Sequence, residues 1–179
     1  MRYKLLIIIL ISFAQFHNGI PGTQYDENTI KSVYIGRFAQ FVDIPLADSS
    51  FFVIGVFEKN GLTPSLEALY KNVMINGVKV KIKYFSKIDS SLLQCQIIFI
   101  PKVNNNKLKR ILNIISGYPL LSVSNEDNYA EKGVHINLYR DGNNIKFEIN
   151  QQAVKKSGLH ISYKLYQLAR IVHQIRVGK

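Results

Sequence analysis

Apolar and polar residues follow one another along the chain in a pattern that predicts alternating helices and strands. Asp26 to Val42 carries apolar residues at helical spacing and begins with acidic residues, which stabilise a helix amino terminus. The apolar runs 51–57 and 96–101 predict strands buried on both faces of an α/β sheet. Thr63-Pro64 predicts the start of a second helix, and residues 107–116 predict a third.

The second half of the chain predicts a short strand at 118–124, a hairpin at 135–150 and two further helices. The first of these helices covers Gln151 to Ser157, and the second covers Ser162 to Arg176 with apolar residues along one side. Together the elements predict an α/β fold: a single, three-layer-like domain over 26–176 with a mostly parallel sheet, a C-terminal β-hairpin and a terminal helix.

The hairpin contains Asp141-Gly142, a favoured dipeptide for a two-residue turn. This turn predicts that His135 pairs with Glu148 and that the apolar residues of both strands face the core. The polar residues would then share an exposed face on the other side of the strands: His135, Asn137, Tyr139, Lys146, Glu148 and Asn150.

That polar face has two interpretations. His135 and Glu148 could supply an imidazole and a carboxylate for general base catalysis. They could equally form an ordinary cross-strand pair, with Asn150 capping the helix that follows. The spacing favours the structural interpretation.

The first helix carries more apolar surface than one core contact requires. One stripe is sufficient to pack on the core: Ile30, Tyr34, Phe38 and Phe41. The remaining apolar residues must be covered by the same domain or by a partner: Ile35, Ala39 and Val42.

The amino-terminal segment resembles a cleaved signal peptide. Arg2 and Lys4 precede an apolar run that ends at Ser12-Phe13-Ala14, with small residues at the cleavage positions. The run is about 12 residues, well short of the ~20 that cross a bilayer. We expect export to the periplasm with cleavage after Ala14, and no later than residue 22.

Cleavage would lower the net charge from +11 to +9, because Arg2 and Lys4 are removed. A basic exported protein meets acidic lipid head groups or an acidic protein, and we expect no nucleic acid partner. Lys79, Lys81 and Lys83 alternate with apolar residues and predict one basic face of a strand. This pattern is more typical of an edge strand kept soluble by lysines than of an anion-binding strip.

Residues that carry covalent or metal chemistry are few. Cys95 is the single cysteine, so it forms no intramolecular disulfide and is either buried or the link of a covalent dimer. The four histidines lie at no metal-ligand spacing, and nucleotide-binding and hydrolase motifs are absent. We therefore predict binding and not catalysis, with no cofactor and no metal.

Several blocks resemble the YfiR family of exported bacterial proteins, in register over about residues 30–173. The matching blocks are RFAQFVDIP (37–45), VIGVF (53–57), CQIIFIP (95–101), LSVSNEDNYAEKGVHINLYRDGNNIKFEIN (121–150) and VKKSGLHISYKLYQLARIV (154–172). The last two blocks are the most specific.

The resemblance implies a periplasmic, non-enzymatic domain that inhibits a membrane-bound diguanylate cyclase and thereby controls cyclic-di-GMP and biofilm formation. Members of that family are often dimeric, and the sequence leaves monomer and homodimer open. Characterised members use paired cysteines as redox-sensitive disulfides, whereas this chain has Cys95 alone.

Three hypotheses follow. The first is a regulator that docks on the cyclase through the first helix and the polar hairpin face. The second is a small-ligand sensor for a histidine kinase, with Glu148, Asn150, Lys164 and Arg170 in its pocket. The third, and weakest, is a hydrolase using His135 and Glu148. The predicted partner- or ligand-binding residues are Phe38, Phe41, His135, Asn137, Glu148, Asn150, Lys164 and Arg170.

Overall fold

The computed structural model describes residues 26–46 and 50–173. The signal segment and its cleavage site, expected between residues 14 and 22, lie outside these ranges. Within the described ranges, no helix combines the length and hydrophobicity needed to cross a membrane.

The described chain contains five α-helices, one 3₁₀-helix and ten strands. The helices are α1 (Glu27–Phe41), α2 (Thr63–Tyr70), the 3₁₀-helix (Ser90–Gln94), α3 (Asn105–Ile115), α4 (Gln151–Ser157) and α5 (Tyr163–Leu168). The strands are β1 (Val42–Asp43), β2 (Phe51–Phe57), β3 (Met74–Ile75), β4 (Val78–Phe85), β5 (Ile97–Phe99), β6 (Leu121–Ser124), β7 (Ile136–Asp141), β8 (Asn144–Asn150), β9 (His160–Ile161) and β10 (Arg170–Val172).

Eight strands form one sheet in the order β10-β8-β7-β6-β5-β2-β4-β3. Five of the seven neighbouring pairs are parallel, and the antiparallel pairs are β7–β8 and β3–β4. The predicted α/β class with a mostly parallel sheet and a hairpin is confirmed. β1 and β9 pair separately, joining the end of α1 to the segment after α4.

The sheet separates two clusters of buried side chains, which gives the fold three layers. One cluster joins α1 and α2 to the sheet, with Phe38, Leu66 and Ile54 among its members. The other joins α3 and the 3₁₀-helix to the opposite face, with Ile111 and Leu92 among its members. Alternate residues of the central strands enter opposite clusters, as expected for a sheet covered on both sides.

α1 and α2 pack in close contact, and this contact covers the additional apolar surface of α1. The Tyr70 hydroxyl donates a hydrogen bond of 2.9 Å to the Ser32 carbonyl. Gly36 makes this approach available, because a Cβ at residue 36 would lie 1.9 Å from the Tyr70 hydroxyl oxygen. The remaining apolar residues of the helix are therefore covered by the same domain: Ile35, Ala39 and Val42 are at most 4% exposed.

The prediction of one helix from Ser162 to Arg176 is wrong over the described part of that range. α5 ends at Leu168, and Arg170–Val172 forms β10, parallel to β8. Ile171 and Val172 are β-branched residues that suit a strand. β8 offers an unpaired edge with which they complete backbone hydrogen bonds. Tertiary pairing therefore overrides the helical spacing of this segment.

The predicted hairpin register is also wrong. Asp141 pairs with Asn144 and Asn137 pairs with Glu148, so the two turn residues are Gly142 and Asn143. Gly142 has φ +59°, which fits the first central position of a type II′ turn, where glycine is preferred. Moving the turn by one residue changes every pair but keeps the apolar residues facing one another, so the faces assigned to the strands are retained.

The lysine strand β4 lies next to the end of the sheet, where the two-residue strand β3 pairs only with its first two residues. Lys79 and Lys81 are exposed on it. The remaining outer edge of β4 carries no strand partner among the described residues. This placement agrees with the prediction of an edge strand kept soluble by lysines.

Candidate functional site

The polar side chains of the hairpin do not form the exposed face that the sequence predicts. His135, Asn137, Glu148 and Asn150 are at most 5% exposed, and they lie on the side of the sheet opposite Ile136. Together with Ser122 and Arg170 we name these residues the polar cluster. Nearer the turn on this face, Tyr139 is partly buried and Lys146 is exposed.

His135 is held by hydrogen bonds within the polar cluster and does not pair with Glu148. The Ser122 N–H donates to its Nδ1 over 3.0 Å, and the His135 N–H donates to the Ser122 hydroxyl oxygen over 3.0 Å. A further hydrogen bond joins the imidazole to the Ala153 backbone. Burial lowers the pKa of His135 to about 4, so the ring is neutral at neutral pH. These contacts fit a structural histidine.

Glu148 is the buried carboxylate of the polar cluster, and Arg170 is its partner. The Arg170 guanidinium forms a salt bridge with Glu148 and stacks 4.5 Å above the Tyr139 ring centroid. The Glu148 side chain is 6% exposed and that of Arg170 is 60% exposed. Arg170 therefore neutralises a buried charge while remaining open to a partner.

Asn137 contacts the same carboxylate, with its Nδ2 3.5 Å from the Glu148 Oε2. Among the described residues, its Oδ1 is the buried side-chain oxygen that has no hydrogen-bond partner. A buried acceptor without a donor costs roughly 1–3 kcal/mol. The polar cluster thus carries one unsatisfied acceptor beside an ion pair.

The remaining predicted site residues take no part in the Arg170–Glu148 salt bridge. Asn150 caps α4 by accepting a hydrogen bond of 2.9 Å from the Ala153 N–H, which confirms the predicted cap. Lys164 is exposed on α5. Phe38 is 1% exposed and packs within the core, and Phe41 is half-buried. Phe38 therefore cannot contact a partner in this structure, and Phe41 can do so only in part.

Cys95 is buried, which is the first of the two predicted environments. Its thiol donates to the Leu92 carbonyl over 3.0 Å. Burial raises the pKa of the Cys95 thiol to about 12, so the reactive thiolate is scarce at neutral pH. Gly55 packs against this sulfur, since a Cβ at residue 55 would lie 2.8 Å from it.

A cleft of about 360 Å³ opens at the carboxyl ends of β2, β5 and β6. β2 leads through α2 to β4 on one side, while β5 pairs with its other side. Ligands of open α/β sheets bind where the strand order reverses in this way. We name this the switch-point cleft, lined by Asn28, Glu58, Lys59, Asn60, Gly61, Leu62, Phe99, Pro101, Lys102, Asn125 and Glu126.

Some of the polar side chains that line the switch-point cleft already form ion pairs within the protein, and others do not. Glu58 has φ +59° and pairs with the Lys107 Nζ at 2.9 Å. Lys102 and Glu126 carry opposite charges, and neither forms a salt bridge with another described residue. A non-glycine residue in the left-handed region stores strain, which is concentrated at functional sites in proteins. The cleft offers both signs of charge to a small ligand.

The sequence analysis missed the switch-point cleft because its walls come from loops far apart in the chain. The stretch Glu58 to Gly61 directly after a buried strand was the available signal. Whether this stretch lines a ligand site depends on which strands lie beside β2. The spacing of apolar residues along the sequence does not show the order of strands in the sheet. No group of three or more potential metal ligands occurs among the residues that the structure describes.

Comparison with known families settles the relationship of the chain. It matches the YfiR/HmsC-like family over residues 28–170. The chain belongs to the YfiR/HmsC-like family. This family comprises periplasmic regulatory domains and is associated with a membrane diguanylate cyclase. The predicted resemblance is confirmed, and the matched range contains both the polar cluster and the switch-point cleft.

Solved structures resemble this YfiR/HmsC-like chain in fold. An ABC domain in complex with L-Trp from Streptococcus pneumonia has a TM-score of 0.58 and 9% identity and covers 79% of this chain. A conserved domain protein from Vibrio cholerae has a TM-score of 0.57 and 12% identity and covers 85%. The matches span 60% and 62% of those two chains. A search of curated proteins gave no match.

Proposed function

We propose that this protein is an exported regulator that binds a membrane-bound diguanylate cyclase on the periplasmic side and inhibits it. Membership of the YfiR/HmsC-like family over residues 28–170 is the observation that carries the proposal. A regulator of this kind needs an exposed protein-binding surface and no reaction chemistry of its own.

The C-terminal edge of the sheet offers the best protein-binding surface. Tyr163 is 74% exposed, Leu168 is 52% exposed and Ile171 is 40% exposed. Arg170 lies among them, stacked on Tyr139 and open to solvent. Tyrosine and arginine are enriched where protein interfaces gain most of their binding energy. The docking surface therefore consists of α5 and β10, and it retains Lys164 and Arg170 from the predicted set.

Deletion of the gene in its native host tests the function. We expect cyclic-di-GMP, measured by mass spectrometry in cell extracts, to rise in the deletion strain and to return to its former level on complementation. The wild-type protein should also co-purify from membranes with the cyclase. Unchanged cyclic-di-GMP after deletion would contradict the proposal.

Complementation with variants tests the docking surface. Replacing both Tyr163 and Leu168 by serine should weaken cyclase binding about tenfold or more and leave cyclic-di-GMP high, because each side chain supplies exposed apolar contact area. Val33→Ser is the matched control, since Val33 is 38% exposed on α1. If Val33→Ser and the double variant lower cyclase binding equally, α5 and β10 are not the docking surface.

A second candidate function is sensing of a small ligand for a histidine kinase. The switch-point cleft favours it, because the cleft has the size of a small-molecule site and lies at the position where α/β sheets bind ligands. This site differs from the pocket that the sequence suggests around Glu148 and Arg170, whose charges neutralise each other.

A further inference from the structure

Three residues form an exposed row across the end of the sheet opposite β10. Lys79 on β4 pairs with Phe51 on β2 and with Met74 on β3. Residues paired in this way point to the same face of a sheet. Phe51 is 40% exposed and Met74 is 56% exposed, so two large apolar side chains flank an exposed ammonium group.

Further basic and apolar side chains surround this row. Val73 is 43% exposed, and Lys81 lies 6.0 Å from the Phe51 ring centroid. Phe51, Val73, Met74 and Lys79 line, together with Lys71, a shallow groove of about 370 Å³ between the segment that follows α2 and the first residues of β2 and β4. We name this surface the basic-apolar patch: Phe51, Lys71, Val73, Met74, Lys79 and Lys81.

Positive charge is concentrated at the basic-apolar patch. Residues 68–88 contain five lysines and no aspartate or glutamate. None of the five forms a salt bridge with another residue in the described ranges. The strand pairing places most of these lysines along β4, at one end of the sheet. A surface of this kind attracts an anionic partner over about one Debye length, ~8–10 Å in physiological salt.

The chemistry of the patch favours an anionic lipid surface over an acidic protein. The basic residues are all lysines, which are depleted in protein interfaces, whereas arginine is enriched there. Lysine side chains lie along apolar surface while their ammonium groups reach polar head groups. Exposed phenylalanine and methionine beside lysines match the composition of surfaces that insert shallowly into the head-group layer.

We infer that the basic-apolar patch binds the surface of a bilayer that contains anionic phospholipid. Phe51, Val73 and Met74 enter the boundary between head groups and acyl chains, and the lysines contact lipid phosphates. The inference rests on the proposed function, since a regulator of a membrane enzyme works beside a bilayer. The patch and the α5–β10 docking surface lie at opposite edges of one sheet, so both can be occupied at once.

Co-sedimentation with vesicles tests the inference. The processed protein, purified after export, is mixed with vesicles of phosphatidylcholine alone or with one-quarter phosphatidylglycerol. We expect binding only to the anionic vesicles, and we expect it to fall as salt screens the lysines. The double variant Lys79→Gln/Lys81→Gln should bind about 30-fold more weakly, because each basic residue near such a surface contributes about fivefold.

A second pair of lysine substitutions, outside the patch, distinguishes the effect of the patch lysines from the effect of net charge. Lys109→Gln/Lys155→Gln removes the same charge from exposed positions on α3 and α4 and should bind like the wild-type protein. Met74→Ser should weaken binding severalfold without a change of charge. Equal loss in both lysine pairs, or no binding to anionic vesicles, would overturn the inference, as would binding only when purified cyclase is present in the vesicles.

Inhibition of the cyclase in detergent micelles separates this inference from the proposed function. We expect Lys79→Gln/Lys81→Gln to inhibit the solubilised enzyme as the wild-type protein does, because the docking surface is intact. If the protein inhibits the cyclase but does not bind anionic vesicles, only the inference of lipid binding is rejected. Failure of inhibition by the wild-type protein would reject the proposed function.

Discussion

His135 shows how burial decides the chemistry of a single residue. Its imidazole is enclosed by Ser122 and the Ala153 backbone, and burial lowers its pKa to about 4. A base must be within reach of the proton that it abstracts, and His135 as a whole residue is only 5% exposed. The environment therefore favours a neutral, structural imidazole.

The lowered pKa of His135 predicts a loss of stability in acid. Between the unfolded value near pH 6.5 and the folded value near pH 4, only the unfolded chain binds the proton. The stability that depends on neutral His135 is fully present above about pH 6.5 and is lost as pH falls towards 4, by about 3 kcal/mol. Urea unfolding at a series of pH values measures it.

His135→Gln and His160→Gln are the matched variants for this measurement. The first should be less stable at neutral pH and should lose less stability in acid than the wild-type protein. His160 is exposed on β9, so its variant should follow the wild-type curve. Parallel curves for the wild-type protein and His135→Gln would contradict the assignment.

The roles of single residues were predictable where the cause is local. Asn150 was identified as a helix cap because the capping hydrogen bond, from the Ala153 N–H to the Asn150 Oδ1, joins residues only three apart in sequence. The burial of Asn137 and Glu148 was not predictable, because it depends on neighbouring strands from other parts of the chain: Asn137 pairs with Ser124 of β6, and Glu148 pairs with Arg170 of β10. Alternation along a strand shows which residues share a face, but it does not show what covers that face.

At the scale of elements, the contact between α1 and α2 depends on Gly36. Gly36→Ala should lower the free energy of unfolding by about 1–3 kcal/mol or more, because the added methyl group overlaps the Tyr70 side chain. Adding Tyr70→Phe should restore part of the loss, since the shortest contact, 1.9 Å, is with the hydroxyl oxygen. Urea denaturation measures both. A Gly36→Ala protein as stable as wild type would show that the helices are less tightly packed.

Most elements were predictable because their apolar periodicity is strong over several turns or strand residues. α1, β2 and α3 begin and end within about two residues of the predicted positions. The structure of the segment after Leu168 was not predictable. Its apolar spacing suits a helix, whereas it forms a strand because it pairs with β8. The hairpin turn was misplaced by one residue, since both registers keep the apolar pairs together.

At the scale of the whole molecule, strand order creates the features that bear on function. β10 and β3 lie at the two ends of the sheet, which separates the proposed docking surface from the basic-apolar patch. The strand order reverses between the parallel strands β2 and β5, and the switch-point cleft opens at their carboxyl ends. β2 and β5 are neighbours in the sheet but lie far apart in sequence, as do β8 and β10, which explains why the sequence analysis did not locate the switch-point cleft.

The switch-point cleft predicts stabilisation by a small polar ligand. A ligand at about 100 times its dissociation constant adds about 2.7 kcal/mol, which raises the melting temperature of a domain of this size by about 5–10 °C. Lys102→Gln should abolish the shift, while Lys155→Gln on α4 should retain it. A metabolite panel that leaves the melting temperature unchanged would contradict a sensing role.

The position of Cys95 has a consequence for how the protein matures. Its thiol lies against Gly55 in the interior, so oxidants and other thiols reach it only while the sheet is incomplete. A lone thiol in an oxidising compartment is a hazard because it can link two chains through a disulfide. Once the sheet is complete, the Cys95 thiol is buried and this hazard ends. Any chains linked through Cys95 would therefore have met an oxidant before they finished folding.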